Sequence, residues 1–220
     1  MSDKIDRRPI AAREWRVSRR LANWLGCRGI NADAISLFGM AFGIGAGVFL
    51  AVTGKWPSAA WAIWLAAALL VQLRLAANML DGMVALSTGT ESKRGELFNE
   101  IPDRVSDSAV LIGLGYASGG DAVLGYAAAL VAVGTAYVRA VGKVTAGVQE
   151  FCGPMAKQQR MFVVTLVALY GAVFDPRQGS VNDTTGLTPV TFAFYLIIIG
   201  GIVTFLRRLR RIDAALRGAS

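Results

Sequence analysis

Apolar runs close to the length of a bilayer crossing recur along the whole chain. Six of them occupy residues 35–52, 57–77, 105–117, 122–138, 161–173 and 188–206. A crossing needs about 20 mostly apolar residues, and 54% of the 220 residues are hydrophobic. The sequence therefore predicts an all-α integral membrane protein with six transmembrane helices. The third and fifth runs are short, and we expect their helices to continue beyond the membrane.

The segment ahead of the first run mixes basic and aromatic residues. Residues 10–25 contain four arginines and two tryptophans, which indicates an N-terminal amphipathic juxtamembrane helix on an anionic lipid surface, with a soluble basic arm as the alternative. No removable signal peptide is expected here. The predicted organisation is a basic amphipathic cytoplasmic segment at 1–30, a six-helix membrane domain at 31–206 and a basic cytoplasmic tail at 207–220.

The positive charges are distributed unequally between the two sets of connections. Of the 23 lysines and arginines, eight precede the first run and five follow the last, whereas the first and fifth connections carry only Lys55 and Arg177. By the positive-inside rule, both termini and the loop at 87–94 face the cytoplasm. Anionic membrane lipids are a sufficient partner for the net charge of +8, so no nucleic-acid partner is expected.

The absence of histidine limits the chemistry that the chain can perform. With no histidine, histidine metal sites and imidazole general bases are excluded, and acid–base chemistry must come from carboxylates. Cys27 and Cys152 are far apart in the sequence, without a metal or redox spacing, and we expect no role for them.

Polar residues are concentrated between Asn78 and Asp107, in a chain that is otherwise lipid-soluble. At 100° per residue, two helical faces would each collect polar side chains: Arg74, Asn78, Asp81 and Ala85 on one helix, and Glu96, Asn99, Glu100, Asp103 and Asp107 on the next. A short loop would fold the two faces together, and the hard oxygen ligands would suit Mg²⁺ or Mn²⁺. The alternative is a set of ordinary solvated carboxylates.

This segment resembles the signature of the CDP-alcohol phosphotransferases, Asp-x2-Asp-Gly-x2-Ala-Arg-x8-Gly-x3-Asp-x3-Asp. The spacing agrees without a gap, with five matching positions and three that differ. The matching residues are Asp81, Gly82, Ala85, Gly95 and Asp103, and the differing residues are Asn78, Leu86 and Asn99.

The resemblance implies a membrane transferase that moves a phosphatidyl or other substituted phosphate group in phospholipid biosynthesis. The donor would be a CDP-linked lipid, most often CDP-diacylglycerol, the acceptor a small or lipid alcohol, and the product CMP. Asp103 would be the general base, and Mg²⁺ or Mn²⁺ would bind the diphosphate. The implied metal ligands are Asn78, Asp81, Asn99, Asp103 and Glu100; Gly82, Ala85 and Gly95 would lie against the nucleotide. The protein would reside in a bacterial cytoplasmic membrane, with its active site on the cytoplasmic side.

The two asparagines remove two negative charges from the implied metal site. An amide oxygen still coordinates a hard cation, and Glu96, Glu100 and Asp107 are accessory acids on the same predicted face as Asn99. The paired substitution is similar to a bacterial subgroup with its own form of the motif. The alternative function is a catalytically silent relative that binds membrane lipid or nucleotide.

Two further features concern partners. The fourth connection carries basic residues that resemble family residues that hold phosphate: Arg139, Lys157 and Arg160. The alternative is that they only anchor the cytoplasmic side of the membrane. Arg74 is a candidate ion-pair partner of Asp81. Three glycines spaced by four in the first run, at 39, 43 and 47, permit close helix contact, which would serve packing within the chain in preference to a homodimer.

Overall fold

The protein is described by a computed structural model that covers residues 15–89, 93–174 and 187–218, with the side chains of residues 93, 94 and 96 left aside. Within these ranges the chain forms helices and no strands, as predicted. The helices are α1 (Arg16–Cys27), α2 (Ala32–Val52), α3 (Ala60–Thr88), α4 (Lys93–Gly115), α5 (Ala122–Ala146), α6 (Lys157–Val173) and α7 (Pro189–Gly218), with a 3₁₀ turn at Pro57–Ala59 before α3.

In the described ranges, four segments are long and apolar enough to cross a membrane: Ala32–Val52, Pro57–Thr88, Ala122–Ala146 and Pro189–Gly218. Many large apolar side chains on them point outward, including Leu69, Leu130 and Ile199, as expected for helices solvated by lipid. The other two long helices do not meet this standard, because α4 is rich in charged residues and α6 has only 17 residues. Six crossings therefore remain a prediction.

The helices that carry the polar residues extend beyond their apolar runs. The third run begins at residue 105, but α4 begins at Lys93; the fifth begins at 161, but α6 begins at Lys157. The expected continuation of both helices is confirmed. α3 likewise continues past its apolar run to Thr88 and ends at Gly89, whose φ of +65° is readily adopted only by glycine.

The glycine stripe of α2 serves packing inside the chain, as predicted. A Cβ on Gly39 would meet the Ala77 side chain of α3 at 3.1 Å. A Cβ on Gly43 or Gly47 would overlap α4, at Ser106 and at the backbone of Ala109. The stripe thus brings α2 into backbone contact with α4 and close to α3, which positions the polar faces of those two helices.

The helices alternate in direction, so the bundle has two distinct ends. At one end, the Ser118 amide donates to Thr53 Oγ1 at 2.9 Å and the Thr188 hydroxyl donates to the Gly119 carbonyl at 2.5 Å. We call this the Lys55 end, since Lys55 follows α2 there. The opposite end, where α3 finishes and α4 and α6 begin, is the Lys157 end.

The short helix α1 packs beside the last turns of α3. Ala22 is buried in a cluster with Leu80 and Val84, while Trp15 and Trp24 remain exposed. The predicted helix at 10–25 is thus present from Arg16 onward, and residues 10–14 lie outside the described ranges. Its position on a membrane surface stays a prediction.

Candidate active site

A small pocket at the Lys157 end collects polar side chains from α2, α3 and α4. Four of the predicted site residues line it: Asn78 and Asp81 from α3, and Asn99 and Asp103 from α4. The remaining lining residues are Ser36, Gly39, Met40, Arg74 and Pro102. The structure therefore brings together the retained and substituted motif positions on the two helices.

Asp81 is the most buried carboxylate of the pocket, with 3% of its surface exposed. Its Oδ2 accepts a hydrogen bond from the Ser36 hydroxyl at 2.6 Å, and its Oδ1 accepts one from the Gly82 amide at 2.5 Å. Among the residues described, no ion pair involves Asp81. A buried carboxylate without an ion-pair partner is costly in free energy unless a cation binds it.

The two asparagines and Asp103 form one hydrogen-bonded cluster. The Asn78 amide nitrogen donates to Asn99 Oδ1 at 3.0 Å and to Asp103 Oδ1 at 3.1 Å. Asn78 therefore acts as a donor to the two α4 residues. An aspartate at position 78 would have no donor to offer, and would place a second carboxylate against Asp103.

Lys157, the first residue of α6, reaches this cluster from the other side. Its ammonium lies 2.5 Å from Asp103 Oδ2 and donates to Asn78 Oδ1 at 2.6 Å. Burial lowers the pKa of Lys157 to about 8, and the Asp103 carboxylate opposes this shift. A positive charge within the chain therefore contacts two of the predicted metal ligands.

A second set of charges is buried directly beneath the pocket. Arg74 contacts Asp107 and lies 3.4 Å from Asp103 Oδ1, and Arg160 donates to Asp107 Oδ2 at 3.2 Å. Arg74, Asp107 and Arg160 are each no more than 2% exposed. The prediction that Arg74 pairs with Asp81 is wrong, because the guanidinium extends from α3 to α4, where Ser106 and two aspartates accept its hydrogen bonds.

Glu100 does not join the pocket that the helical arc predicted for it. Its carboxylate is half exposed and pairs with Arg104 at 2.8 Å and with Arg139 of α5. Glu100 lies one residue, or about 100°, beyond Asn99 on α4, and the two arginines hold it on the outer side. Arg139, a predicted phosphate ligand, is thus at the rim, paired with Glu100 and stacked over Phe151.

The other predicted residues occupy different surroundings. Asp107 lies below the pocket between two arginines, so its carboxylate is already neutralised, and Arg160 is its partner. Gly82 follows Asp81, and Ala85 is one turn further along α3, partly exposed. Gly95 lies in the first turn of α4; the side chain of Glu96 is outside the described part of the structure.

Sequence reasoning missed Ser36 and Ser106, which accept or donate hydrogen bonds at the centre of the site. Ser36 lies on the apolar helix α2, where a single serine is common, and Ser106 lies on α4 among several charged residues. A weak signal exists for Ser36, since it precedes Gly39 by three residues and so shares the face that packs on α3.

The donor set of the pocket fits a hard divalent cation. Two aspartates and two asparagines line the same space, and Mg²⁺ and Mn²⁺ favour oxygen ligands. No group of three or more His, Cys, Asp or Glu side chains suited to a metal ion occurs in the part of the chain described. The buried Asp81 carboxylate is the residue whose surroundings most favour a bound cation.

Three known proteins are similar in sequence to this chain over most of its length. Phosphatidylinositol phosphate synthase of Mycobacteroides abscessus is 25% identical over 218 residues, which are 96% of this chain and 89% of that protein. The Streptomyces avermitilis enzyme of the same name is 26% identical over 199 residues, 88% and 76% of the two chains. Inner membrane protein YnbA of Escherichia coli is 24% identical over 151 residues, 69% and 73%. No protein-family model matches the chain.

Solved structures share the fold. Phosphatidylinositol phosphate synthase of Mycobacterium tuberculosis with CDP-DAG bound superposes with a TM-score of 0.72 at 20% identity, over 90% of this chain and 94% of that one. The same enzyme with manganese and citrate gives a TM-score of 0.71 at 19% identity, over 89% and 88%.

The fold and the pocket define a helical membrane protein with a polar, oxygen-lined site at one end of its bundle. The motif spacing on α3 and α4 and the relatives that match nearly the whole chain indicate more specifically which kind of membrane protein this is. The chain is similar in sequence to phosphatidylinositol phosphate synthases over most of its length, and four positions of the CDP-alcohol phosphotransferase spacing line its pocket.

Proposed function

We propose that the protein transfers a phosphatidyl or other substituted phosphate group from a CDP-linked lipid to an alcohol and releases CMP, as a step in phospholipid biosynthesis. The observation that carries this proposal is the pocket shared by Asn78, Asp81, Asn99 and Asp103, because it unites four motif positions from two helices. The names of the synthases from Mycobacteroides abscessus and Streptomyces avermitilis support it, and the CDP-DAG complex of a protein with this fold supports the donor class.

Asp103 is suited to accept the proton of the acceptor hydroxyl. It lines the pocket and is 15% exposed, and Arg74 and Lys157 on either side keep its carboxylate oriented. As the proton moves to Asp103, the acceptor oxygen bonds to the phosphorus that carries the lipid. The bond from that phosphorus to the bridging oxygen breaks, and its electron pair leaves with CMP.

The diphosphate of the donor requires positive charge. We assign the divalent cation, Mg²⁺ or Mn²⁺, to Asp81, with Asn78 and Asn99 beside it; when bound, it would neutralise the diphosphate and stabilise the leaving CMP. The manganese complex of the Mycobacterium tuberculosis enzyme supports this choice of metal. Gly82, Ala85 and Gly95 are the proposed positions of close approach to the nucleotide. Glu96 remains a proposed accessory acid, and Lys157 and Arg139 are proposed phosphate contacts, whereas Arg160 is buried against Asp107 below the pocket.

The proposal also includes the arrangement of the chain in the membrane. The chain crosses the membrane six times, with α4 and α6 completing the four strongly apolar segments, and domain limits at 31 and 206. The Lys157 end faces the cytoplasm, where the donor nucleotide and anionic lipid headgroups meet the basic residues and α1. The inner-membrane relative from Escherichia coli supports a bacterial cytoplasmic membrane.

Release of CMP is the direct test of the proposed function. Protein in lipid nanodiscs would be incubated with CDP-diacylglycerol, Mg²⁺ or Mn²⁺, and a panel of alcohols with and without a phosphate group. CMP that depends on one of these alcohols is the expected result, and the product lipid identifies the acceptor. No CMP with any alcohol would contradict the enzyme and favour a silent, lipid- or nucleotide-binding relative.

Asp81→Asn is expected to weaken binding of CDP at least about tenfold in the presence of Mg²⁺. The substitution keeps the shape of the side chain but removes the charge of the buried carboxylate. Isothermal titration with CDP, with and without chelator, measures the effect. Asp121→Asn is the matched control, because it lies at the Lys55 end and asparagine also caps a helix. Equal affinity for Asp81→Asn and the control would exclude Asp81 as a ligand.

External labelling of introduced cysteines tests the orientation. Cys27 and Cys152, the two free cysteines, would first be replaced by serine. A membrane-impermeant maleimide added to intact cells should then label Lys55→Cys and not Lys143→Cys, which is exposed in the last turn of α5 at the other end. Labelling of both positions, or of Lys143→Cys alone, would contradict the proposed topology.

A further inference from the structure

We propose that Lys157 supplies from within the chain one of the positive charges of the site, so that the pocket binds a single divalent cation, centred on Asp81. This inference rests on the proposed function and specifies its cofactor stoichiometry. It follows from the different ways in which the two pocket carboxylates are already neutralised.

The negative charge of Asp103 is already balanced by cationic side chains of the protein. Lys157 lies 2.5 Å from its Oδ2, Arg74 lies 3.4 Å from its Oδ1, and the Asn78 amide also donates to Oδ1. A divalent cation at this carboxylate would lie close to two positive charges, and mutual repulsion disfavours it.

Asp81 has the opposite surroundings. Its oxygens accept hydrogen bonds from the neutral Ser36 hydroxyl and the Gly82 amide, and it has no ion-pair partner in the described ranges. Because the side chain is almost fully buried, its charge is left to be balanced by a cation from solution. The pocket therefore has one position, at Asp81, for a cation from solution.

The asparagines fit this division of charge. Asn78 offers its carbonyl oxygen to Lys157 and its amide nitrogen to Asn99 and Asp103, and an ionised aspartate at this position could not donate. Lysine at position 157 and asparagine at positions 78 and 99 thus form one consistent set: the chain has two fewer negative charges in the pocket and already provides a cation.

Counting bound Mn²⁺ tests this inference without an activity assay. Mn²⁺ alone would be titrated into purified protein and the free ion followed by electron paramagnetic resonance. The wild-type chain should bind one Mn²⁺. Lys157→Met should still bind one, about tenfold more tightly, because a positive charge near a divalent ion has been removed. Lys157→Arg should behave as wild type, and Lys55→Met, at the opposite end of the bundle, is the matched control.

The triple variant Lys157→Met, Asn78→Asp and Asn99→Asp should bind two Mn²⁺ per chain, since it removes the internal cation and restores two carboxylates. Two Mn²⁺, or none, on the wild-type chain would overturn the inference, as would a Lys157→Met variant with wild-type affinity. One bound Mn²⁺ without CMP release from any donor would instead contradict the proposed function and leave this stoichiometry standing.

Discussion

Asparagine in place of Asp103 should lower CMP release by about 10² to 10⁴, the usual contribution of a positioned proton acceptor. The amide has nearly the same shape, and its one oxygen can still accept either the hydrogen bond from Asn78 or the one from Lys157, though not both. An amide oxygen does not take up the proton of the acceptor hydroxyl. The effect should therefore fall on kcat, with CDP binding little changed.

The measurement is single-turnover release of CMP from CDP-diacylglycerol, alongside titration with CDP. Asp213→Asn is the control, since Asp213 is more than half exposed on α7 and pairs only with Arg217 among the described ion pairs. A rate for Asp103→Asn within a factor of about three of this control would mean that proton acceptance lies elsewhere. A parallel loss of CDP binding would assign Asp103 to binding instead.

Alanine in place of Asp107 should destabilise the folded protein by about 3 to 5 kcal/mol, the usual cost of leaving a buried charge without its partner. Asp107 is the shared partner of Arg74 and Arg160, and all three side chains are buried. Its removal leaves two guanidinium groups facing each other without the carboxylate between them. Equilibrium unfolding by SDS in mixed micelles measures the change.

Two companion variants give this prediction its controls. Asp213→Ala removes an exposed ion pair and should change the free energy of unfolding by less than about 1 kcal/mol. The combined variant Arg74→Met, Asp107→Leu and Arg160→Met should recover much of the lost stability, because the buried charges are removed together. If Asp107→Ala unfolds no more easily than Asp213→Ala, the buried network does not stabilise the bundle.

The helices were largely predictable because their signal is local. Each of the six apolar runs corresponds to a described helix, and the short third and fifth runs were expected to extend. Hydropathy could not give the true ends, however. The α3 helix continues to Thr88 and α4 starts at Lys93, since a helix persists in polar sequence where only the lipid-facing pattern stops.

The site was predictable only as far as helical periodicity determines it. The periodicity placed Asn78 and Asp81 on one face and Asn99 and Asp103 on another, and the pocket unites them. The contacts of Lys157 and Ser36 join residues distant in sequence, and they depend on how α6 and α2 pack. The errors at Arg74 and Glu100 have a similar origin: a long charged side chain selects the nearest partner on a neighbouring helix, which one helix alone does not reveal.

The contact between α2 and α4 also restricts how the proposed lipid donor would reach the pocket. A Cβ on Gly113 would overlap the backbone of Gly47, so the two helices meet main chain to main chain. An acyl chain is wider than any gap that such a contact leaves. The lateral path from the bilayer into the pocket is therefore closed along this side, and a two-tailed donor must enter between another pair of helices.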